Sequence, residues 1–140
     1  MERVNNYYKI SFITRNKQHR VGVDVFQIRN DCVEFITNEY NLNVSHRTQF
    51  DEIFKRPITG IIAFSPQNET QCEIFNEYIK YFSEKQRSGV VNLKTTTMYI
   101  IPPCDLSRKF YQNPKKHLLG VFVNNEVEPK LYVGKIIKLK

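Results

Sequence analysis

Apolar and polar residues alternate with two different periods along this 140-residue chain, and the two periods predict both strands and helices. The segment VGVDVFQI (21–28) has Val21, Val23 and Val25 on one face, which is typical of a strand that buries one side of a sheet. The run ITGIIAFSP (58–66) is the most continuous apolar stretch and predicts a central, buried strand. The other predicted strands are 7–14, 42–47, 89–94, 95–103 and 117–123, with a further candidate at 131–133, whereas 32–40 remains ambiguous.

A spacing of three and four residues replaces this alternation after residue 68 and predicts the longer of two main helices. Asn68 is the expected N-cap, with Gln71 three positions later as the partner in a capping box. Gly89 is expected to take the left-handed position just past the end of the helix. The apolar stripe of this helix consists of Ile74, Phe75, Tyr78, Ile79 and Phe82.

A second helix is predicted over FDEIFK (50–55), with Thr48 as its cap, Asp51 as the acid of a capping box and Pro57 at its end. One more helical turn is predicted before Pro114. About seven short strands with two inserted helices favour an α+β fold, a closed or nearly closed β-barrel with helices packed on its outside. The segment 128–140 is a separate basic strand or tail after a barrel domain over 1–127.

The composition narrows the classes of function. A formal net charge of +7 favours an anionic partner such as nucleic acid, a phosphopeptide or an acidic protein. No apolar run is long enough to span a bilayer and no leader pattern is present, so we expect a cytosolic or nuclear protein without a membrane partner. Cys32, Cys72 and Cys104 are widely spaced and predict reduced, mostly buried thiols rather than a zinc site or a disulfide framework.

Catalytic signatures are missing from the sequence. It contains no GxSxG, GxGxxG, GxxxxGK[ST] or HExxH pattern, and its histidines have no evident Ser or Cys partner, although His46 next to Arg47 is suited to help bind an anion. We therefore expect a binding module with no catalytic residues, no cofactor and no metal. The cations are the better lead, and they form three groups: Arg15 with Lys17 and Arg20, Arg47 alone, and Lys80, Lys85 and Arg87 around the end of the long helix.

Arg47, Tyr81, Lys85 and Arg87 together would make a phosphate pocket, since arginine offers a planar fork of donors, lysine a point charge and tyrosine a hydroxyl. Two plainer interpretations stay open from spacing alone. Charged runs are usually solvated faces, and cations are expected near the C-terminal end of a helix because that end carries a partial negative charge.

The order of several segments resembles the SPOC domain, the C-terminal domain of Spen-type proteins, over nearly the whole chain. The segments are LNVSHR (42–47), KYFSEKQRSGVVNL (80–93), MYIIPPCD (98–105) and HLLGVFV (117–123). They are most similar to the branch found in TFIIS-like and PHD-finger transcription elongation regulators. The resemblance implies a distorted seven-stranded, mostly antiparallel β-barrel framed by a few helices.

The resemblance also implies a phosphoserine reader of the C-terminal domain of RNA polymerase II, or of a corepressor or other regulator tail. We expect the protein to be nuclear and to act as a monomer. Its phosphate-contacting residues would fall on Arg47, Tyr81, Lys85 and Arg87, and a basic residue of its first strand falls near Arg15. Asn43 and Gln49 stand where Spen corepressors carry further arginines, and the chain has no tryptophan, so the phosphate geometry and the partner can differ.

Two alternatives remain. The basic charge and the lysine-rich end favour a nucleic-acid-binding barrel. The other alternative is a scaffold whose exposed groove holds an unmodified partner peptide by apolar contacts.

Overall fold

The computed structural model describes residues 3–4, 7–15, 18–29, 41–93, 96–112 and 116–125. The ambiguous segment 32–40, the candidate strand 131–133 and the lysine-rich segment 128–140 lie outside the described residues. Within the described helices, none is long and apolar enough to cross a membrane.

The described residues contain nine strands and three helices. A 3-10 helix covers Phe50–Lys55, α1 covers Glu69–Ser83 and α2 covers Asp105–Phe110. The strands are β1 Arg3–Val4, β2 Tyr7–Arg15, β3 Gln18–Arg29, β4 Asn41–Val44, β5 His46–Gln49, β6 Ile58–Pro66, β7 Arg87–Asn92, β8 Thr96–Ile101 and β9 Leu118–Asn124.

The sheet closes on itself through the β4–β5 segment. Its strands follow the order β1-β2-β3-β6-β9-β8-β7-β5, while β4 pairs with β2 and is the parallel member of the described pairs. Ser45 alone separates β4 from β5, and its backbone N–H donates to the Val90 carbonyl at 2.8 Å, so one continuous segment bridges β2 and β7. With β4–β5 taken as one member and the short β1 left aside, seven positions remain around the ring. The predicted nearly closed, mostly antiparallel barrel framed by helices is confirmed.

Each face of the sheet has its own apolar cluster. Val21, Val23 and Val25 are fully buried on one face of β3, as their alternation predicts, and belong to the cluster that also contains the buried side chains of α1. On the opposite face the second cluster is covered by the 3-10 helix and α2. There Phe54 stacks on Phe110 with ring centroids 6.5 Å apart.

α1 packs across one end of the barrel. It contacts β3, β6 and β7, and two ring positions separate β3 from β7 on one side and three on the other. Its buried side chains Phe75, Tyr78 and Phe82 belong to the same cluster as the inward-facing residues of the strands, so the helix covers the barrel end and does not lie on the outer surface. The Tyr78 hydroxyl donates to the Ile13 carbonyl at 3.3 Å. Burial is the main cause that raises the pKa of the Tyr78 phenol. The expectation that the helices pack outside is therefore correct for the 3-10 helix and α2 but wrong for α1. Its stripe covers inward-facing side chains.

The end of α1 differs from the sequence prediction. Gln86, with φ of 49°, takes the left-handed position, whereas Gly89 lies inside β7 and has no positive φ. Gly89 is needed for another reason: a Cβ there would come within 2.7 Å of Cε1 of Phe82 and 3.2 Å of Cγ1 of Val44. Because Gly89 has no side chain, the last turn of α1 packs directly against β7.

The starts of the helices also differ in detail. Asn68 is the N-cap of α1 as predicted, but its side chain makes no capping bond, and the Gln71 side chain instead accepts from the Gly22 N–H at 2.9 Å. Thr48 does not cap a helix, because it pairs with Ser88 in the β5–β7 ladder and is already extended. The following helix begins at Phe50 and is a 3-10 helix.

We expect Gly89→Ala to destabilise the fold by about 1–3 kcal/mol, the usual range for overpacking a tight core site. The rigid Phe82 ring is fully buried and cannot move away without disturbing its neighbours. Urea denaturation would measure the change in the free energy of unfolding. Ser83→Ala, an exposed change in the same segment, is the control, and a Gly89→Ala protein as stable as this control would contradict the packing argument.

Candidate functional site

An open depression lies beside the C-terminal end of α1. Its volume is about 370 Å³, and it is lined by His46, Arg47, Tyr81, Lys85 and Arg87. The structure therefore brings together four of the residues predicted from the sequence, although nearly forty positions separate Arg47 from Lys85. The fifth predicted residue, Arg15, does not line the depression.

The β5–β7 ladder positions the two arginines of the depression. Arg47 is directly opposite Gly89, and Gln49 is opposite Arg87. Residues that face each other across an antiparallel ladder share one face of the sheet, as do residues two apart on one strand. Arg47 and Arg87 are therefore diagonal neighbours on the face that α1 covers.

The close approach of α1 at Gly89 brings the helix end within reach of Arg47. The Arg47 Nη1 group donates to the Tyr81 carbonyl at 3.0 Å, which satisfies one of the carbonyls that a helix leaves open in its last turn. Tyr81 lies in the last turn of α1, and Lys85 follows four residues later, in the turn just past the helix end. The left-handed Gln86 then redirects the chain, so that Arg87 begins β7 at the edge of the same depression.

The Tyr81 ring lies between two guanidinium groups. The Cζ atom of Arg47 is 4.1 Å from the ring centroid and that of Arg15 is 3.9 Å from it. Such distances correspond to stacking over the ring, and one face has room for only one guanidinium, so the two cations occupy opposite faces. Arg15 lies two residues beyond the buried Ile13 on β2, and its Cζ is also 5.7 Å from the centroid of the Tyr78 ring.

The positive charge at this end of the barrel is not balanced by ion pairs. Within the part of the chain that the structure describes, Arg15, Arg47, Lys85 and Arg87 form no salt bridge with any carboxylate. Arg15 Nε is buried and, among the described residues, has no hydrogen-bond partner. Four cations this close repel one another, so an anion at this place would be stabilised.

His46 is the lining residue that sequence reasoning left out of the predicted set. Its position next to Arg47 was the signal, but strand alternation sends neighbouring side chains to opposite faces. In the structure the ring Nδ1 lies 2.9 Å from Ser45 Oγ, a contact that strand periodicity does not reveal.

The described residues contain no group of three or more histidine, cysteine or acidic side chains able to hold a metal ion. Cys72 and Cys104 are free and half-buried, so they are more accessible than the predicted buried thiols, and Cys32 lies outside the described residues.

Comparisons with known proteins agree with this architecture. The family model described as "SPOC domain" matches residues 12–125. The flowering time control protein FPA of Arabidopsis thaliana is 30% identical over 86 residues, which cover 57% of this chain and 10% of that protein. The chain thus matches about a tenth of the length of that curated relative. The crystal structure of the SPOC domain of human PHD-finger protein 3 superposes with a TM-score of 0.68 at 19% identity and covers 88% of this chain and 99% of that one. The closed barrel, the helix across its end and the family match over residues 12–125 together show that this chain belongs to the SPOC domain family.

Proposed function

We propose that this domain binds phosphoserine-containing peptides in the depression beside α1. The observation that carries the proposal is the cluster of cations around Tyr81, none of which forms a salt bridge with a carboxylate in the described ranges. A phosphoserine brings close to two negative charges and three strong acceptor oxygens. It therefore offsets the repulsion among the cations and accepts their hydrogen bonds.

Each side chain has a distinct role in this proposal. Arg47 directs one donor at the Tyr81 carbonyl, and no other hydrogen bond of its five-donor guanidinium is found among the described residues. Its remaining donors and the Lys85 ammonium clamp the phosphate, and the Tyr81 hydroxyl donates to it. Arg87, at the edge of the depression, contacts a second phosphate on the same peptide.

Helix stability alone does not account for the cluster. Cations near the end of α1 favour the helix dipole, which suffices for Lys85 and for the single bond from Arg47. Arg15 comes from β2 and contacts aromatic rings rather than helix carbonyls, and Arg87 begins a strand. Three strands and the end of α1 thus supply charge to one place.

The partner that fits this site is a flexible acidic tail carrying phosphoserines. The SPOC family resemblance supports the phosphorylated C-terminal domain of RNA polymerase II, or a phosphorylated corepressor or other regulator tail, as that partner. On this proposal the protein is a nuclear, non-enzymatic module of transcription regulation.

Titration by fluorescence anisotropy tests the proposal. A doubly phosphorylated heptad-repeat peptide is expected to bind about tenfold or more tightly than its unphosphorylated twin, the scale of hydrogen bonds to a charged group. A twin in which each phosphoserine is replaced by glutamate controls for charge without phosphate geometry. Equal affinities for the phosphorylated and unphosphorylated peptides would falsify the proposal.

The same measurements separate this function from nucleic-acid binding. Contacts to a phosphate backbone release several counterions, so that affinity falls steeply when salt rises from about 50 to 200 mM. A basic surface of that kind would bind a short duplex DNA more tightly than the phosphopeptide. Such a result, with a steep salt dependence and little sequence preference, would favour the nucleic-acid alternative.

A further inference from the structure

We propose that His46 is an additional phosphate-contact residue and that Ser45 and Asn92 hold its ring at the rim of the depression. The inference rests on the proposed function and assigns to this chain a contact that neither the predicted site nor the helix end supplies. His46 lines the same depression as Arg47, Lys85 and Arg87.

The position of His46 requires an explanation, because it is out of phase with Arg47. His46 is opposite Val90, whose side chain belongs to the outer apolar cluster, so simple alternation would direct the imidazole away from α1. The 2.9 Å contact between His46 Nδ1 and Ser45 Oγ holds the ring back toward the preceding residue. Ser45 therefore decides where the ring sits.

Ser45 is itself fixed from two sides. Its hydroxyl donates to the Val90 carbonyl at 3.2 Å, and Asn92 Nδ2 donates to the Ser45 hydroxyl oxygen at 3.4 Å. Its backbone N–H also bonds to Val90, at the junction where β4 becomes β5. The rim of the depression is thus attached to β7 and not to a loop, and a ligand meets the ring in one orientation.

The ring has two nitrogens, and Ser45 occupies only one of them. Within the described part of the chain, Nε2 has no hydrogen-bond partner. While the Ser45 hydroxyl donates to Val90, Nδ1 carries the hydrogen of the Ser45 contact, and Nε2 then donates only in the imidazolium. In the neutral ring, Nε2 donates when the Ser45 hydroxyl leaves Val90 and turns toward Nδ1. Each of these forms lets the ring donate to an anion held between Arg47, Lys85 and Arg87.

Two substitutions distinguish the roles of the two ring nitrogens of His46. In H46N the amide lies near the position of Nδ1 and keeps the partner Ser45, but it does not reach the rim. In H46Q the longer side chain carries an amide donor to about the position of Nε2. We expect H46N to weaken binding of a phosphorylated heptad-repeat peptide about five- to tenfold, the upper part of the net range for one typical hydrogen bond. H46Q should restore most of this loss.

Ser45 is tested by a double-mutant cycle in the same anisotropy assay. S45A should weaken phosphopeptide binding in the wild-type background and add little in the H46N background, because it acts through the ring. Urea denaturation of each variant shows that folding is retained.

The outcomes distinguish this inference from the proposed function. If the wild type prefers the phosphorylated peptide and H46N keeps that preference undiminished, the role of His46 is overturned while the proposed function stands. Equal losses in H46N and H46Q would also overturn it, since both variants remove the imidazole but only one removes the rim donor. A wild type that does not distinguish the peptides would overturn both.

Discussion

Arg47→Ala is expected to weaken binding of a phosphorylated peptide by about 1.5–3 kcal/mol, the net scale of hydrogen bonds to a charged group. Since each 1.4 kcal/mol is tenfold in the dissociation constant, the loss is roughly 10- to 150-fold. The change removes the fork of donors in the depression, the bond to the Tyr81 carbonyl and the cation over the Tyr81 ring. Fluorescence anisotropy with phosphorylated and unphosphorylated peptides measures the loss.

Two further variants show which property of Arg47 matters. Arg47→Lys keeps the charge but loses the planar fork, so an intermediate loss is expected. Lys109→Ala removes one positive charge from the exposed surface of α2, a helix that does not line the depression, and should change affinity less than about twofold because solvent screens distant charges. If Arg47→Ala resembled Lys109→Ala, the phosphate site would lie elsewhere.

Tyr81 connects the two arginines that the site depends on. A cation over an aromatic ring is worth about 0.5–2 kcal/mol, more when it is shielded from water, and Tyr81 makes two such contacts. Arg15 is not among the residues that line the depression, but its guanidinium stacks on the ring of Tyr81, which is one of them. A contact between Arg15 and phosphate stays a prediction, and we also expect Arg15 to hold the Tyr81 ring in position.

The sequence predicts well which residues of a single strand or helix are buried. It predicts poorly which distant elements contact each other. The alternation in β3 and the stripe of α1 identify the buried residues, because each pattern reports which face of one element avoids water. Neither pattern states which partner covers that face, and α1 was expected outside the barrel for this reason. Its place across the barrel end follows from Tyr78, Phe82 and the missing side chain of Gly89, which act together only after the sheet has closed.

In the candidate site, too, local spacing predicts the neighbours within one element but not the contacts between elements. Tyr81 and Lys85 can be placed together from helical spacing, but the meeting of Arg47 with Tyr81 depends on the register of β5 against β7. The family resemblance carried that information, whereas spacing did not. The position next to Arg47 marked His46 as suited to help bind an anion, but its contact with Ser45 follows from neither the spacing nor the resemblance.

The largest loss of stability is expected from Phe82→Ala, at about 3–5 kcal/mol, the range for removing a fully buried aromatic side chain. The ring is completely buried, packs against the Tyr81 ring with centroids 5.1 Å apart and fills the space that Gly89 leaves open. A domain of this size typically has only about 5–15 kcal/mol of stability, so the variant would lose a large share of it. Urea denaturation followed by circular dichroism measures the difference in free energy of unfolding.

Phe82→Leu distinguishes the loss of stability caused by missing volume from the loss caused by the missing aromatic ring. Leucine fills most of the space and should reduce the loss to about 1–2 kcal/mol if packing between α1 and β7 is the cause. Because Phe82 follows Tyr81 directly and supports the helix end that Arg47 contacts, phosphopeptide affinity should also fall in the folded fraction of Phe82→Ala. A Phe82→Ala protein that loses less than about 1 kcal/mol would mean that α1 does not close the barrel end, because truncating a well-packed, fully buried ring costs several times more. The site would then have no rigid wall on its helical side, and the stacking of Tyr81 between two arginines would need another support.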